Sequence, residues 1–370
     1  MFGIILTSVV TIMHAYVFLR AASVPLVKRH VPRKILIAVA VALWAGFLLG
    51  RVFDRGGTGA LARTGELLGM IWMGVLFLTS VALLATDLLT GFGLFLRRLA
   101  PRLRGVALAA GGVLSVIALI QGLRPPVVQS YDVHLAGLPD EMDGTVIVAM
   151  SDLHIGSLLG QRWLEARVAQ VQAQRPDMVV LLGDISEGHG PPEGRLLPAM
   201  RRLSAPLGVW AVLGNHEFHG RGNSGASLMK EAGFEVLRDT WSEVRPGLVL
   251  AGVDDLTSRR RSGNGGDAVL QALAGRPASA TILLSHTPWQ TDAAASAGVG
   301  LMLSAHTHGG QIWPFDYVIQ RRYPLLEGQY QVGGMTVIVC RGTGTWGPRM
   351  RLWSPGEIMR VTLHAKRKPT

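Results

Sequence analysis

Polar and apolar positions fall into two regimes along the chain. Up to Arg124 the apolar residues run in long stretches, Phe2–Leu19, Ile35–Gly50, Leu67–Ala85 and Gly105–Leu123. Each comes close to the roughly 20 residues a helix needs to cross a bilayer. The second is short, so Arg33 and Lys34 would have to snorkel. Arg124-Pro125-Pro126 ends the fourth, because proline cannot continue a helix. Beyond it short apolar runs predict strands at Thr145–Ser151, Met178–Leu182, Val209–Leu213, Leu248–Val253, Thr281–Ser285, Gly300–Ser304, Thr336–Cys340 and Ile358–Leu363. Helical patterns fall at Gln161–Gln174, with Trp163, Val168 and Val171 apolar, and at Asp267–Ala274 and Gln290–Ala297. This alternation predicts an α/β domain with a largely parallel or mixed sheet, whose ligands bind beyond the carboxyl ends of the strands. The expected division is a transmembrane region of about four helices over 1–124, a linker and entry segment over 125–144, and one domain over 145–370.

Composition supports the membrane reading. Of the 370 residues 49% are hydrophobic and mean hydropathy is +0.32, too apolar for one ordinary soluble domain. The net charge of +11 is concentrated: 13 of 36 Lys and Arg but only 3 of 25 Asp and Glu lie through Arg124. Basic charge placed between apolar runs marks membrane topology and argues against nucleic acid as a partner. Arg20, Lys28, Arg29, Arg33 and Lys34 follow the first run, and Arg97, Arg98, Arg102 and Arg104 follow the third. Those loops are expected on the cytoplasmic side of the cytoplasmic membrane, which puts the N-terminus, the middle loop and everything after Arg124 outside. No basic residue precedes the first apolar run, so it is a poor cleaved signal peptide. Asp87, at the edge of the third run, is expected to be solvated, and His14 in the first has no assigned role. Cys340 is the only cysteine, which excludes an intrachain disulfide, and its apolar setting makes it a core residue.

The chemistry sits where strands stop. Thr145–Ser151 runs into Asp152-Leu153-His154, and in an extended segment residues two apart point the same way. A hard carboxylate beside an imidazole suits a divalent metal. Met178–Leu182 runs into Gly183-Asp184, Val209–Leu213 into Gly214-Asn215-His216-Glu217, Thr281–Ser285 into His286, and Gly300–Ser304 into Ala305-His306-Thr307-His308-Gly309-Gly310. One strand-end histidine is usually structural. Five strand ends carrying metal-capable residues are hard to reach by chance, and a sheet brings them to one edge.

With this set in view, the chain resembles the calcineurin-like metallophosphoesterase superfamily over about Thr145 to Leu363. It resembles most the membrane-associated bacterial branch that ends in His-Thr-His-Gly-Gly-Gln, here His306–Gln311. The resemblance does not cover the four spans. It implies a two-sheet sandwich flanked by helices and a centre of two divalent ions, Mn, Fe or Zn. Asp152, His154 and His308 would hold one ion, and Asn215, His286 and His306 the other. Asp184 would bridge them, and a hydroxide shared by the two ions would attack phosphorus. His216 would stabilise the transition state or protonate the leaving oxygen. Glu187 would orient His216, with a solvated loop acid as the alternative. Arg341 would bind phosphate, with packing against the Trp346–Pro348 turn as the alternative. The family usually has glycine at the position of Ala305, which could strain that turn if positive φ is needed. His189 and His219 are expected at the surface, and Arg259, Arg260 and Arg261 in a solvated or lipid-contacting loop.

The expected activity is hydrolysis of a phosphomonoester, phosphodiester or pyrophosphate by a membrane-anchored enzyme. A lipid-linked or envelope phosphoester is favoured over a cytosolic nucleotide. Membrane lipids are the other expected partner, and the oligomeric state stays open. The alternatives are a catalytically silent receptor or scaffold and a transporter. The full ligand set with His216 speaks against the first, and the scarcity of ionisable or glycine- and proline-broken spans against the second.

Overall fold

The computed structural model describes residues 2–53, 59–156, 158–187, 193–218 and 224–365. The chain divides into two compact units, Met1–Arg124 with Gly347–Leu352, and Pro125–Trp346 with Trp353–Thr370.

The first unit is helical: α1 (Phe2–Ala21), α2 (Pro25–His30), α3 (Arg33–Phe53), α4 (Ala60–Leu89) and α5 (Ala100–Leu123). All but α2 are long and apolar enough to cross a membrane. Val10, Val17, Phe47, Leu76, Leu83 and Ala107 form their shared core. Ile4, Ile12, Leu68 and Val113 face outward and are exposed, an apolar exterior that suits lipid better than water. Arg351, distant in sequence, belongs to this unit, where its backbone N–H donates to the Ala118 carbonyl at 2.9 Å.

Asp87 is not solvated as expected. It is fully buried and accepts from Arg104 Nε at 2.8 Å and Tyr16 Oη at 2.7 Å, with Arg20 Nε at 2.6 Å. Arg104 also donates to the Phe92 carbonyl, while the Arg20 guanidinium stacks over the Tyr16 and Phe92 rings. Three helices thus converge on one carboxylate. His14 is buried between helices too, with Nε2 3.0 Å from the Ala40 carbonyl and Nδ1 accepting from Trp72 Nε1 at 3.2 Å. That is a structural role.

The second unit is two mixed six-stranded sheets. In the first, β1 (Val127–Leu135), β2 (Val146–Met150), β3 (Met178–Leu181), β4 (Val209–Ala211), β5 (Glu235–Val236) and β12 (Glu357–Ala365) lie in the order β1-β12-β2-β3-β4-β5. In the second, β6 (Thr240–Arg245), β7 (Leu248–Val253), β8 (Ala280–Ser285), β9 (Leu301–Ser304), β10 (Gly328–Val332) and β11 (Met335–Val339) lie in the order β10-β11-β9-β8-β7-β6. The segment expected as linker therefore carries β1, paired parallel to β12 from Val127–Glu357 to Leu135–Ala365.

Period-two alternation explains the layers. Ile147, Ala149, Met178, Val180, Leu250, Ile282, Leu284 and Leu303 fill the space between the sheets. Their neighbours Val148, Met150, Val179 and Leu181 pack instead on α6 (Gln161–Gln172), α7 (Glu193–Met200) and α8 (Ser224–Glu231). Leu283, Met302 and Val337 face α10 (Ala268–Leu273) and α11 (Thr291–Ser296). The short helices α9 (Leu256–Arg261) and α12 (Asp316–Gln320) follow β7 and β9. Because β2, β3 and β4 are parallel, and β7, β8 and β9 likewise, the carboxyl ends within each set share an edge.

Arg104→Ala should leave Asp87 buried with fewer partners. The expected cost is up to about 3 kcal/mol, the lower end for breaking a buried pair. Thermal unfolding of the purified protein in detergent would read it, and an unchanged midpoint would remove the cluster from the stability of the bundle.

Candidate metal centre

Two parallel strand sets deliver the candidate ligands. Asp152 and His154 follow β2, Asp184 follows β3 and Asn215 follows β4; His286 follows β8, and His306 and His308 follow β9. Five of the seven leave their strands in left-handed backbone, with φ of 49° at Asp152, 46° at His154, 52° at Asp184, 73° at His306 and 52° at His308. The extended geometry expected for Asp152 and His154 is therefore absent. Their convergence is imposed by strained turns, a conformation that costs of order 1–3 kcal/mol per residue and clusters at functional sites. Ala305 is buried and is not a positive-φ position, so replacing glycine there adds no strain. Glycine is required elsewhere. A Cβ at Gly214 would lie 2.2 Å from Asp184 Oδ1, and at Gly183, where φ is 87°, 2.4 Å from Gly214 N.

Six of the seven expected ligands fall into two groups of three. Asp152, His154 and His308 bring one ligand atom each within 4.8 Å of one another, and so do Asp184, His286 and His306. His154, Asp184 and His216 form a third such group that links them. His286 Nε2 is 3.2 Å from Asp184 Oδ2, and His308 Nε2 is 3.3 Å from Asp152 Oδ1. His154 Nε2 lies 3.1 Å from His308 Nε2, and His306 Nδ1 3.2 Å from His286 Nε2.

The seventh residue, Asn215, supplies a test of fit. Its Oδ1 is buried and has no hydrogen-bond partner among the described residues. A buried acceptor without a donor costs about 1–3 kcal/mol, and a cation would satisfy it. The imidazoles fit as well. His286 Nδ1 faces the Leu182 carbonyl at 2.7 Å, which can only accept, so Nδ1 carries a proton and Nε2 is the nitrogen turned toward Asp184. His306 Nε2 meets the Tyr323 hydroxyl at 2.9 Å, leaving Nδ1 toward His286. Burial, then the charge of His286, lowers His306 to about 4, so it is a neutral donor. Burial disfavours charge on His286 as well, yet Asp184 and Asp152 raise it well above the ordinary imidazole value. The pocket favours positive charge, and its N and O donors suit two borderline divalent ions.

Beside this cluster, Glu187 faces two histidines: Oε1 is 2.5 Å from His154 Nδ1 and Oε2 3.0 Å from His216 Nδ1. It is not a free loop acid. Burial would raise its pKa, but His154 and His216 hold it well below the carboxylate range. Burial also opposes charge on His216, and Asp184 with Glu187 overrides it, raising the imidazole to about 9. Arg341 is engaged elsewhere: its Nε donates to the fully buried Glu357 at 2.9 Å, and Tyr131 donates to the same carboxylate at 2.7 Å. The expected phosphate contact gains no support from that geometry. His189 and His219 lie outside the described residues. Cys340 is fully buried, and burial pushes its thiol up.

Sequence reading missed two supports. Glu217, next to His216, accepts from the backbone N–H of Gly214 at 2.8 Å, Asp184 at 2.9 Å, Ile185 at 2.8 Å and Ser186 at 3.3 Å. One carboxylate thereby ties the turns after β3 and β4 together. An acid adjoining Asn215-His216 was the available signal. Tyr323 lies 17 residues past His306 in a polar stretch and gave none.

Glu217→Ala should strand those buried donors and lower stability by more than about 2 kcal/mol. Glu217→Gln, which keeps one acceptor oxygen, should cost less. Thermal unfolding checks both, and equal midpoints for wild type and the alanine variant would contradict the tie.

Comparison with known proteins agrees with this geometry. The calcineurin-like phosphoesterase family profile matches residues 145–310. A Bos taurus protein described as a transmembrane protein with metallophosphoesterase domain is 33% identical over 285 residues, covering 73% of this chain and 64% of that protein. An uncharacterized metallophosphoesterase of Campylobacter jejuni is 30% identical over 248 residues, 66% of this chain and 65% of the relative. One from Aquifex aeolicus is 34% identical over 244 residues, 65% of this chain and 92% of the relative. The chain thus spans just under two thirds of the first two relatives and most of the third. Matching sequence, together with the convergence of the strand-end candidate ligands, places the chain in the calcineurin-like metallophosphoesterase family.

Proposed function

We propose that the protein is a membrane-anchored, dinuclear-metal phosphoesterase. The observation that carries this is the pair of three-residue candidate groups linked through Asp184, together with the Asn215 oxygen, which has no hydrogen-bond partner among the described residues. In this reading Asp152, His154 and His308 hold one ion, Asn215, His286 and His306 the other, and Asp184 serves both. Bound divalent ions supply Lewis-acid polarisation of the phosphoryl oxygens and make water acidic enough to act at neutral pH.

The chain's own residues then have distinct tasks. His216 directly follows the ligand Asn215, and its backbone N–H donates to Asp184 Oδ1 at 2.8 Å, which fixes its position. Its Nδ1 is held by Glu187, which orients the ring. Asp184 and Glu187 favour the protonated imidazole, the state needed to donate a proton to a departing alkoxide. Glu187 orients both that acid and the ligand His154.

The bovine relative's description as a transmembrane protein and the four apolar helices support membrane anchoring. The distribution of Lys and Arg favours a catalytic unit on the outer face of the cytoplasmic membrane. Only Arg124, Pro125 and Pro126 connect α5 to β1. So short a tether gives amphipathic phosphates in the adjacent leaflet a high effective concentration, which favours a lipid-linked or envelope phosphoester.

Two measurements test this reading. Asp184→Asn should lose both ions, and His216→Ala should keep them but turn over roughly 100-fold more slowly, the scale of a lost general acid. Two ions retained in the first variant, or full turnover by the second on a substrate with a poor leaving group, would contradict the assignment. Protease added to intact spheroplasts should digest the chain after Arg124 while sparing cytoplasmic controls. Digestion only after lysis would reverse the topology.

A further inference from the structure

The arginine run after β7 lies on the short helix α9, with Arg260 and Arg261 exposed. Arg259 pairs with Asp239, and Arg260 lies over an indole. That indole, Trp289, stacks on Tyr323 with ring centroids 5.5 Å apart and planes 18° from parallel. The Arg322 guanidinium carbon is 4.6 Å from the Trp289 ring centroid, and that of Arg260 is 5.8 Å away. Tyr323 in turn is one hydrogen bond, 2.9 Å, from the candidate ligand His306. Burial raises the Tyr323 phenol, while the charges of Arg322 and Arg261 act against that rise. An aromatic wall carrying guanidinium groups therefore stands beside the half of the centre that holds His306.

Local carboxylates do not neutralise it. Asp254 is held by Arg238 at 2.6 Å and Asp239 by Arg259. Asp255 is buried, accepting from Thr257 and Thr287 hydroxyls at 2.5 Å each and from the Ser258 N–H at 2.7 Å. Among the described residues neither Arg260 nor Arg322 makes an ion pair, and both are exposed. Arg322 also hydrogen-bonds Tyr323, and a guanidinium over an aromatic face keeps its remaining N–H groups for an oxygen acceptor. Stacking also removes much of the side-chain entropy that such a contact would otherwise cost.

We propose that Arg260, Arg322, Trp289 and Tyr323 form a second anion subsite, which receives a phosphoryl group other than the one attacked. The preferred substrate then carries two adjacent phosphoryl groups, as in a diphosphate. This rests on the phosphoesterase reading and narrows its substrate class.

Full-length, metal-loaded protein in nanodiscs of zwitterionic lipid tests it by calorimetric binding of ADP and AMP, which share a handle and differ by one phosphoryl group. Wild type should bind ADP at least about tenfold more tightly than AMP, a gap of about 1.4 kcal/mol, and salt should shrink the difference. In Arg260→Ala/Arg322→Ala the gap should collapse toward one with metal content unchanged, and Arg260→Lys/Arg322→Lys should restore part of it. A wild-type ratio near one, a ratio untouched in the alanine variant, or equal losses for both nucleotides would overturn the proposal. Failure of the metal-loaded wild type to hydrolyse any phosphoester would instead sink the phosphoesterase reading, with the binding ratio still able to stand.

Discussion

Asp184 is the group on which the centre depends. It is almost fully buried, contacts His286, and lies within ion-pair range of His154 and His216. Burial alone would favour the neutral acid, but the surrounding imidazoles hold its pKa well below the usual carboxylate range. A carboxylate kept charged in a dry pocket needs compensation, and here the compensating groups are the residues able to bind a cation. Local electrostatics and proposed function are two descriptions of the same arrangement.

The scaffold exists to hold that charge in place. Both sheets present the carboxyl ends of parallel strands, and neither alone carries the whole candidate ligand set: β2, β3 and β4 supply four of the candidate donors, β8 and β9 three. The core between the sheets therefore fixes the distance between the halves of the centre. Gly183 and Gly214 let the β3 and β4 turns come closer than any side chain would allow. Glu217 then gathers the N–H groups those turns expose. Tyr323 and Glu187 set which nitrogen of His306 and His154 faces inward.

The helical unit solves a related problem in a different medium. Asp87 is buried where α1, α4 and α5 meet, and Arg20, Arg104 and Tyr16 surround it. A single acid with two arginines leaves a net positive charge, in keeping with the basic loops on that side. Such a cluster specifies which helix ends meet, something the apolar faces alone do weakly, since Leu, Val and Ala pack acceptably in many registers.

The sequence by itself determined the elements whose signal is local. Four long apolar runs gave α1, α3, α4 and α5, and buried runs such as Leu248–Val253 gave the central strands, because continuous burial leaves a continuous apolar pattern. Residues placed directly after those strands named the candidate ligands. Edge strands escaped notice: Thr240–Arg245 and Gly328–Val332 are half-exposed, and β1 reads as polar linker, because a strand with one wet face need not be apolar. Only the tertiary structure decided what depends on distant partners. It divided the strands between two sheets, as the resemblance implied and no single stretch could show. It buried Asp87 by bringing Arg104 to it, drew Arg341 to Glu357, and set Tyr323 against His306. None of these pairings leaves a trace in its own stretch of chain, since each is a contact between polar residues that, read alone, are indistinguishable from solvated ones.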